Sequence, residues 1–358
     1  MLLGPRQCGK TTLARQFMPA DERNYFDLED PDDLLRLEDA KSELTSLRGL
    51  IVVDEIHRKS ELFPLLRVLL DRKPLPSKFL ILGSASPILL KQTSESLAGR
   101  VETISMGGFS LEEVTPGKLK PHWLRGGFPP SFIARTDASS FSWRKQFVQT
   151  FLERDVPQMG LNIPAPTFRR FWTLLAHSHG QLWNAADPAA SLSLSQPTVR
   201  KYLDHLDHLL MVRQLQPWHE NLGKRQVKSP KIYVRDSGLL HLLLGIQNEK
   251  EFQNHPKRGV SWEGYVIEEL FKQIQPDDAY FWATYNQAEL DLLFFKNGKR
   301  MGFEIKLNDK PSLTPSMRTA VRDLKLDKLY VIYPGKADYD LDRYTQATSI
   351  VNTMRFKG

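Results

Sequence analysis

The octapeptide Gly4-Pro5-Arg6-Gln7-Cys8-Gly9-Lys10-Thr11 constrains this chain more than any other feature, because it fits the pattern G-x-x-x-x-G-K-[ST]. Its glycines let the backbone curl until successive N–H groups face one point, and a helix opening at Thr12 turns its positive end toward the same point. That arrangement suits phosphate. The residues Gly4, Pro5, Arg6, Gln7, Cys8, Gly9, Lys10, Thr11 and Thr12 are therefore expected to form a binding loop for ATP with Mg2+. Lys10 is expected to reach the β- and γ-phosphates, and the Thr11 hydroxyl to ligate the metal.

Such a loop needs a buried strand before it and a carboxylate on a neighbouring strand. Leu50-Ile51-Val52-Val53 and Phe79-Leu80-Ile81-Leu82 are short, continuous apolar runs. Runs of that kind read as strands buried on both faces, hence a parallel sheet covered by helices. Between them Leu62, Leu65, Leu66, Leu69 and Leu70 have helical spacing. The first run ends in Asp54-Glu55, where Asp54 is expected to hold magnesium and Glu55 to polarise the attacking water. The second ends in Gly83-Ser84-Ala85-Ser86, and Ser84 is the candidate for sensing the γ-phosphate or positioning the water. Arg100 is a candidate to face a phosphate, in its own subunit or in a neighbour's. Only Met1, Leu2 and Leu3 precede Gly4, so the first strand is expected to be cut short or the true start to lie upstream. Cys8 reads as a small residue that fits the loop.

Composition bounds the rest. A chain of 358 residues with 41% hydrophobic and 25% charged residues holds two or three globular domains. No uncharged apolar stretch approaches the length of a membrane span, and the N-terminus has no signal-peptide pattern. The single cysteine excludes an internal disulfide and a cysteine zinc cluster. A cytoplasmic protein without a membrane partner is expected. The net charge of +7 and pI near 9.3 permit nucleic-acid binding without establishing it.

The Gly/Pro-rich stretch from Gly107 to Pro130 reads as the link out of the sheet domain. The expected limits are 1–125 for the P-loop domain, 126–245 for a helical and winged-helix domain, and 246–358 for a third, α/β domain. Residues 141 to about 210 are expected to be helical. Within them Pro197 marks a helix start, Val199, Tyr202, Leu203 and Leu206 make its apolar face, and Thr198, Arg200 and Lys201 fall opposite. Strand-like Met211–Leu215 and Ile232–Val234 follow, with Lys224, Arg225, Lys228 and Lys231 between them as in a basic wing. DNA contact and internal packing are equally compatible with this pattern. His205 and His208 lack a third ligand at metal spacing.

In the last third, Leu290–Phe295, Met301–Lys306 and Leu329–Tyr333 read as strands. Asp291 on one strand and Glu304 with Lys306 on the next form a D…E-x-K constellation, with Glu263 on an upstream helix as a further acid. Asp291 and Glu304 are expected to share a divalent metal, and Lys306 to orient a water for attack on a phosphodiester. This is the pattern of restriction-endonuclease-like nucleases, which also occurs in folds whose site is inactive or purely structural.

Taken in this order, the three parts resemble the AAA-superfamily P-loop ATPases that carry a C-terminal domain of unknown function and are related to archaeal, STAND-linked ATPases. The matching pieces are Gly4 to Leu13, Val53-Asp54-Glu55-Ile56, Ser96-Leu97-Ala98-Gly99-Arg100, Phe151 to Val156, Asn221-Leu222-Gly223-Lys224-Arg225, Lys228 to Tyr233, Asp236 to Leu239, and the pair Glu289-Leu290-Asp291 and Glu304-Ile305-Lys306. The resemblance implies ATP binding and hydrolysis and supplies no substrate. Three readings follow from the sequence. The first is a Mg-dependent ATPase that couples nucleotide state to the other domains. The second is a nucleotide-dependent switch, with little turnover, that binds DNA or a protein partner and changes its oligomeric state. The third is a metal-dependent nuclease.

Overall fold

Leu2 and Leu3 point to opposite faces of a sheet, and so do Ile51 and Val52, and Ile81 and Leu82. In the computed structural model each of these pairs divides between two apolar clusters. Leu3, Ile51, Val53 and Ile81 pack with Phe26, Phe63 and Leu66, whereas Leu2, Val52 and Leu82 pack with Ala14. A strand that must be apolar at every position is one covered on both faces, as the continuous runs predict. The structure describes residues 1–18, 22–84, 92–93, 95–220, 226–285 and 288–356. The chain forms two compact units, Met1–Gly108 with His208–Leu210, and Phe109–Asp207 with Met211–Gly358.

In the first unit β1 (Leu2–Gly4), β2 (Tyr25–Asp27), β3 (Gly49–Asp54), β4 (Ser77–Ser84) and β5 (Ile104–Ser105) form one sheet in the order β2-β3-β4-β1-β5. Every pairing is parallel. The helices are α1 (Lys10–Gln16), α2 (Pro31–Arg36), α3 (Ala40–Ser46) and α4 (Leu62–Leu70). The three-residue β1 is paired along both edges, to β4 and to β5. One expectation is corrected here: the strand carrying Asp54 is not the neighbour of the P-loop strand, because β4 runs between them.

In the second unit the stretch expected to be a link is helical and built into the core. Helices Leu111–Val114, Leu119–Arg125 and Pro129–Phe132 bury Leu111, Trp123 and Leu124. Its glycines and prolines delimit these helices and do not loosen the chain. Pro129 starts one, and Gly126 ends another at a φ of +80° with Asp236 against its Cα. A long helix, Asp137–Thr150, continues into a wide turn over Phe151–Asp155, with Trp143, Phe147 and Phe151 stacked at 5.2 and 6.3 Å. Helices Ala165–His177, Ala186–Leu192 and Gln196–His208 follow. The first two are separated by β6 (Gln181–Leu182), a break in the expected helical run. Val199, Tyr202, Leu203 and Leu206 are buried, as their spacing predicts. β6, β8 (Lys231–Val234) and β7 (Val212–Leu215) make a three-stranded antiparallel sheet in that order.

The last sheet is mixed, in the order β13-β14-β12-β11-β10-β9, with β9 (Asp278–Ala283), β10 (Glu289–Lys296), β11 (Lys299–Ile305), β12 (Lys328–Tyr333), β13 (Tyr339–Asp340) and β14 (Thr345–Ser349). Helix Arg258–Ile274 covers one face through Trp262, Val266 and Leu270 against Leu292, Phe294 and Phe303. Helix Pro315–Asp323 covers the other through Met317 and Ala320 against Leu290, Leu293 and Val331.

Buried polar groups tie this unit together. Glu268 accepts from both Arg213 and Arg235, whose charges outweigh burial and hold its carboxyl down at about 2. His241 donates through Nδ1 to the Leu124 carbonyl at 2.8 Å, and its Nε2 lies 2.7 Å from the Ser261 hydroxyl. The Val234 amide donates to Nδ1 of His179. Burial lowers both imidazoles to about 3, so both are neutral in the fold. A depressed base contributes stability above its unfolded pKa, near 6.5, and loses it as pH falls. Glu263 and Glu304 in the same unit are raised to about 7 and about 8 and act in the opposite sense over this range, so the imidazole contribution is read as a difference between variants. In urea unfolding followed by tryptophan fluorescence, the change in stability from pH 7 to pH 5.5 should be about 1 kcal/mol more favourable in His241→Gln than in wild type. Parallel profiles for the two proteins would contradict a neutral His241.

Candidate functional site

The carboxyl ends of parallel strands are where an open α/β sheet presents its ligand groups. Here those ends carry Gly4, Asp27, Asp54 and Ser84. The P-loop leaves β1 at Gly4 and enters α1 through Gly9, at φ +105°. Gln7 is also left-handed, at φ +61°. Left-handed residues placed among right-handed ones build a concave nest of N–H groups. Gly4 has no room for a side chain, since a Cβ there would stand 2.3 Å from the Met106 carbonyl oxygen and 2.9 Å from Cys8 Sγ. Cys8 is buried, and burial raises its thiol pKa despite the nearby Lys10 charge. The thiol is protonated packing material, as the small-residue reading predicts. The buried Lys10 ammonium donates to the carbonyls of Gly4 (2.9 Å) and Pro5 (2.8 Å), which engages two of its three donors.

The Thr11 hydroxyl donates to Asp54 Oδ2 at 2.7 Å. The Tyr25 hydroxyl donates to the same oxygen at 2.9 Å, and the Glu55 amide to Oδ1 at 2.9 Å. Asp54 is thus fixed on both oxygens, and the side chain of Thr11 meets it although β4 separates their strands. Burial, with the Asp54 charge next to it, raises the Tyr25 phenol, so it stays a donor. Two hard oxygens this close are a donor set that magnesium accepts. Glu55 takes a left-handed backbone, φ 51° and ψ 44°, a conformation costing about 1–3 kcal/mol that is concentrated at functional sites. Burial opposes ionisation of Glu55, but His57, with Nδ1 at 3.1 Å, and the charges of Lys10 and Arg6 more than offset it and hold the carboxyl below its ordinary value.

Ser84 lies beside Gly4 in the β1–β4 register, and its buried hydroxyl has no hydrogen-bond partner among the described residues. Ala85 and Ser86 lie outside them. Arg100 is held elsewhere than expected, in a bidentate pair with Asp71 at 2.7 and 3.0 Å on the surface.

The C-terminal constellation converges. Antiparallel pairing of Leu292 with Phe303 carries Asp291 and Glu304 to adjacent strand ends, and Glu263 comes from helix Arg258–Ile274. Asp291 Oδ2 accepts from the Ile305 amide at 2.8 Å, and Lys306 pairs with Glu304 at 2.6 Å. A residue from β8 completes the group. Lys231, expected on a basic wing, is buried here, bonded to Glu289 and 3.7 Å from Glu263, with its ammonium over the Phe281 ring. The Tyr233 hydroxyl donates to Glu263 at 2.6 Å. Burial first, then repulsion from Asp291, raises Glu263 to about 7 and Glu304 to about 8, while burial raises Asp291 against the pull of Lys231 and Lys306. Among the described residues no three His, Cys, Asp or Glu side chains are disposed to hold a metal ion.

Sequence reasoning missed Tyr25, Lys231 and Tyr233. Tyr25 was findable, since the β2–β3 pairing sets Asp27 opposite Asp54 and leaves Tyr25 two residues back. For Lys231 the signal was the apolar Ile232-Tyr233-Val234 beside it. Every residue of this strand is buried.

With this geometry in hand, comparison with known proteins places the chain. A family described as AAA domain matches residues 1–115, and domains of unknown function DUF8612 and DUF4143 match 117–250 and 258–352. The chain belongs to the AAA-domain family whose members carry this C-terminal domain of unknown function. It is 50% identical, over 341 residues, to uncharacterized protein Rv2008c of Mycobacterium tuberculosis, with 95% of this chain and 77% of that protein aligned. The uncharacterized protein Mb2031c of Mycobacterium bovis matches to the same extent. An AAA domain is a nucleotide-binding domain of the ATPase type. No described helix is long and apolar enough to cross a membrane.

The tight seat of Gly4 generates one prediction. Gly4→Ala should destabilise the first unit by about 1–3 kcal/mol, because the obstructing atom is a backbone carbonyl that cannot rotate away. Thermal unfolding that is unchanged in this variant would contradict the packing described.

Proposed function

We propose that the first unit binds ATP with Mg2+ and hydrolyses it, and that nucleotide state governs what the rest of the chain does. The observation that carries this reading is the 2.7 Å contact between Thr11 and Asp54, which brings a P-loop hydroxyl and a strand-end carboxylate together. Magnesium, when bound, neutralises phosphate charge and draws electrons from the γ-phosphoryl group. Thr11 and Asp54 would hold it, with the Tyr25 hydroxyl fixing the Asp54 carboxylate. Lys10 has one N–H left for a phosphate oxygen. Glu55, kept ionised by His57, Lys10 and Arg6, is the group suited to accept a hydrogen bond from the attacking water and orient it. Ser84, with a free hydroxyl between Gly4 and the Asp54 strand, is suited to contact the γ-phosphate. Arg100 could serve a neighbouring subunit's nucleotide only after leaving Asp71.

ATP turnover by the purified chain tests this. Lys10→Ala should reduce turnover at least a hundredfold. Wild-type turnover equal to that of the variant would refute the enzyme reading. Tyr25→Phe should leave kcat at saturating magnesium within a few-fold while raising the magnesium concentration for half-maximal turnover roughly five- to thirtyfold, about 1–2 kcal/mol for one hydrogen bond to a charged group. An unchanged magnesium requirement would remove Tyr25 from the site.

A second reading, a slow switch that binds DNA or a protein, rests on the middle region. The order helix, β6, helix, helix, β7, β8, with sheet order β6-β8-β7, supports a winged helix. Arg200 and Lys201 are exposed on the helix face opposite its buried residues, where a recognition helix would offer them to phosphates. The basic wing is thinner than expected. Lys224 and Arg225 lie outside the described residues, Lys228 is exposed, and Lys231 is spent on carboxylates. ATP-dependent change in DNA affinity or oligomeric state with little turnover would favour the switch over the ATPase.

A further inference from the structure

The restriction-endonuclease-like pattern Asp291, Glu304, Lys306 and Glu263 implies a divalent metal, and the residues can be tested for whether they fit one. The carboxylates gather, but Lys231 is among them. Its ammonium touches Glu289, lies 3.7 Å from Glu263 and attracts Asp291. It enters from β8, a strand of the region matched by 117–250, whereas every carboxylate around it belongs to the region matched by 258–352. No three of the described acids are arranged to hold a metal. One oxygen of the set is left over, because Glu304 Oε2 is buried and has no hydrogen-bond partner, while its Oε1 is taken by Lys306. A buried carboxyl oxygen without a hydrogen-bond partner costs free energy.

Lys231 is also locked in place. Ile232, Tyr233 and Val234 beside it are fully buried, β8 is hydrogen-bonded along both edges, and the Tyr233 hydroxyl is bound to Glu263. Removing one partner of a buried ion pair leaves a charge uncompensated, at a cost that another cation or a proton relieves. Glu289 is half exposed at the rim, so a hydrated ion has a route in.

We propose that Lys231 is the resident cation of this cluster, occupying the place a divalent metal would take, and that its ammonium is what keeps a metal from these carboxylates. The middle region thereby supplies the counter-charge of the C-terminal acids. The claim is independent of ATP hydrolysis at the P-loop.

Mn2+ binding to the nucleotide-free full-length chain, read by the loss of free Mn2+ signal in electron paramagnetic resonance, tests it at pH 8. Wild type should show no Mn2+ uptake that Asp291→Asn removes. Lys231→Gln, or Lys231→Met if the glutamine variant fails to fold, should bind Mn2+ at least tenfold more tightly than wild type, and adding Asp291→Asn should abolish the gain. That control separates this site from any binding at Asp54. Two results would overturn the proposal: wild-type Mn2+ binding that Asp291→Asn removes, or a folded Lys231 variant with no gain. The wild-type arm decides even if neither lysine variant folds.

Discussion

The first unit is organised around Asp54 Oδ2. One carboxylate oxygen takes the Thr11 hydroxyl from the helix after the P-loop and the Tyr25 hydroxyl from β2. The start of β2, the end of β3 and the start of α1 are thus joined at one atom, while β4 passes between β1 and β3. The apolar faces of the sheet fix the strands, and the polar contact fixes where their ends point. Without Asp54 the two hydroxyls would lose their common acceptor, and the loop and the β3 end would be set independently. The left-handed backbone of Glu55 follows directly after this clamp and aims a carboxylate past it.

The P-loop and the strand-end carboxylate were legible in the sequence because their parts are local. The loop is eight consecutive residues, and Asp54-Glu55 ends a run whose unbroken hydrophobicity can only be a strand covered on both faces. Helix Leu62–Leu70 was legible for the same reason, through its spacing. Strand order was not legible, and so β4 was not seen between β1 and β3. The stretch from Gly107 to Pro130 was misread because glycine and proline mark helix ends as well as loops. Trp123 and Leu124 within it were the counter-signal, being large apolar residues that a link would expose.

Charge was the least legible property. Lys231 counts in the sequence as one more base in a basic segment, and in the fold its ammonium lies between Glu263 and Glu289. The D…E-x-K spacing puts Asp291 and Glu304 on adjacent strands with Lys306 beside Glu304, since period-two strands in antiparallel register leave few alternatives. Spacing carries no information about what a strand from another part of the chain inserts among those residues. An excess of positive charge over the whole chain is therefore a poor guide to its surface.

The central claim is that Asp54 and Glu55 divide the work, the first holding the nucleotide's metal and the second orienting water. Single-turnover hydrolysis of Mg-ATP together with equilibrium ATP binding in Glu55→Gln tests it most directly. The account predicts binding within a few-fold of wild type and hydrolysis slowed at least a hundredfold. Hydrolysis at the wild-type rate, or ATP binding lost as completely as in Lys10→Ala, would contradict it.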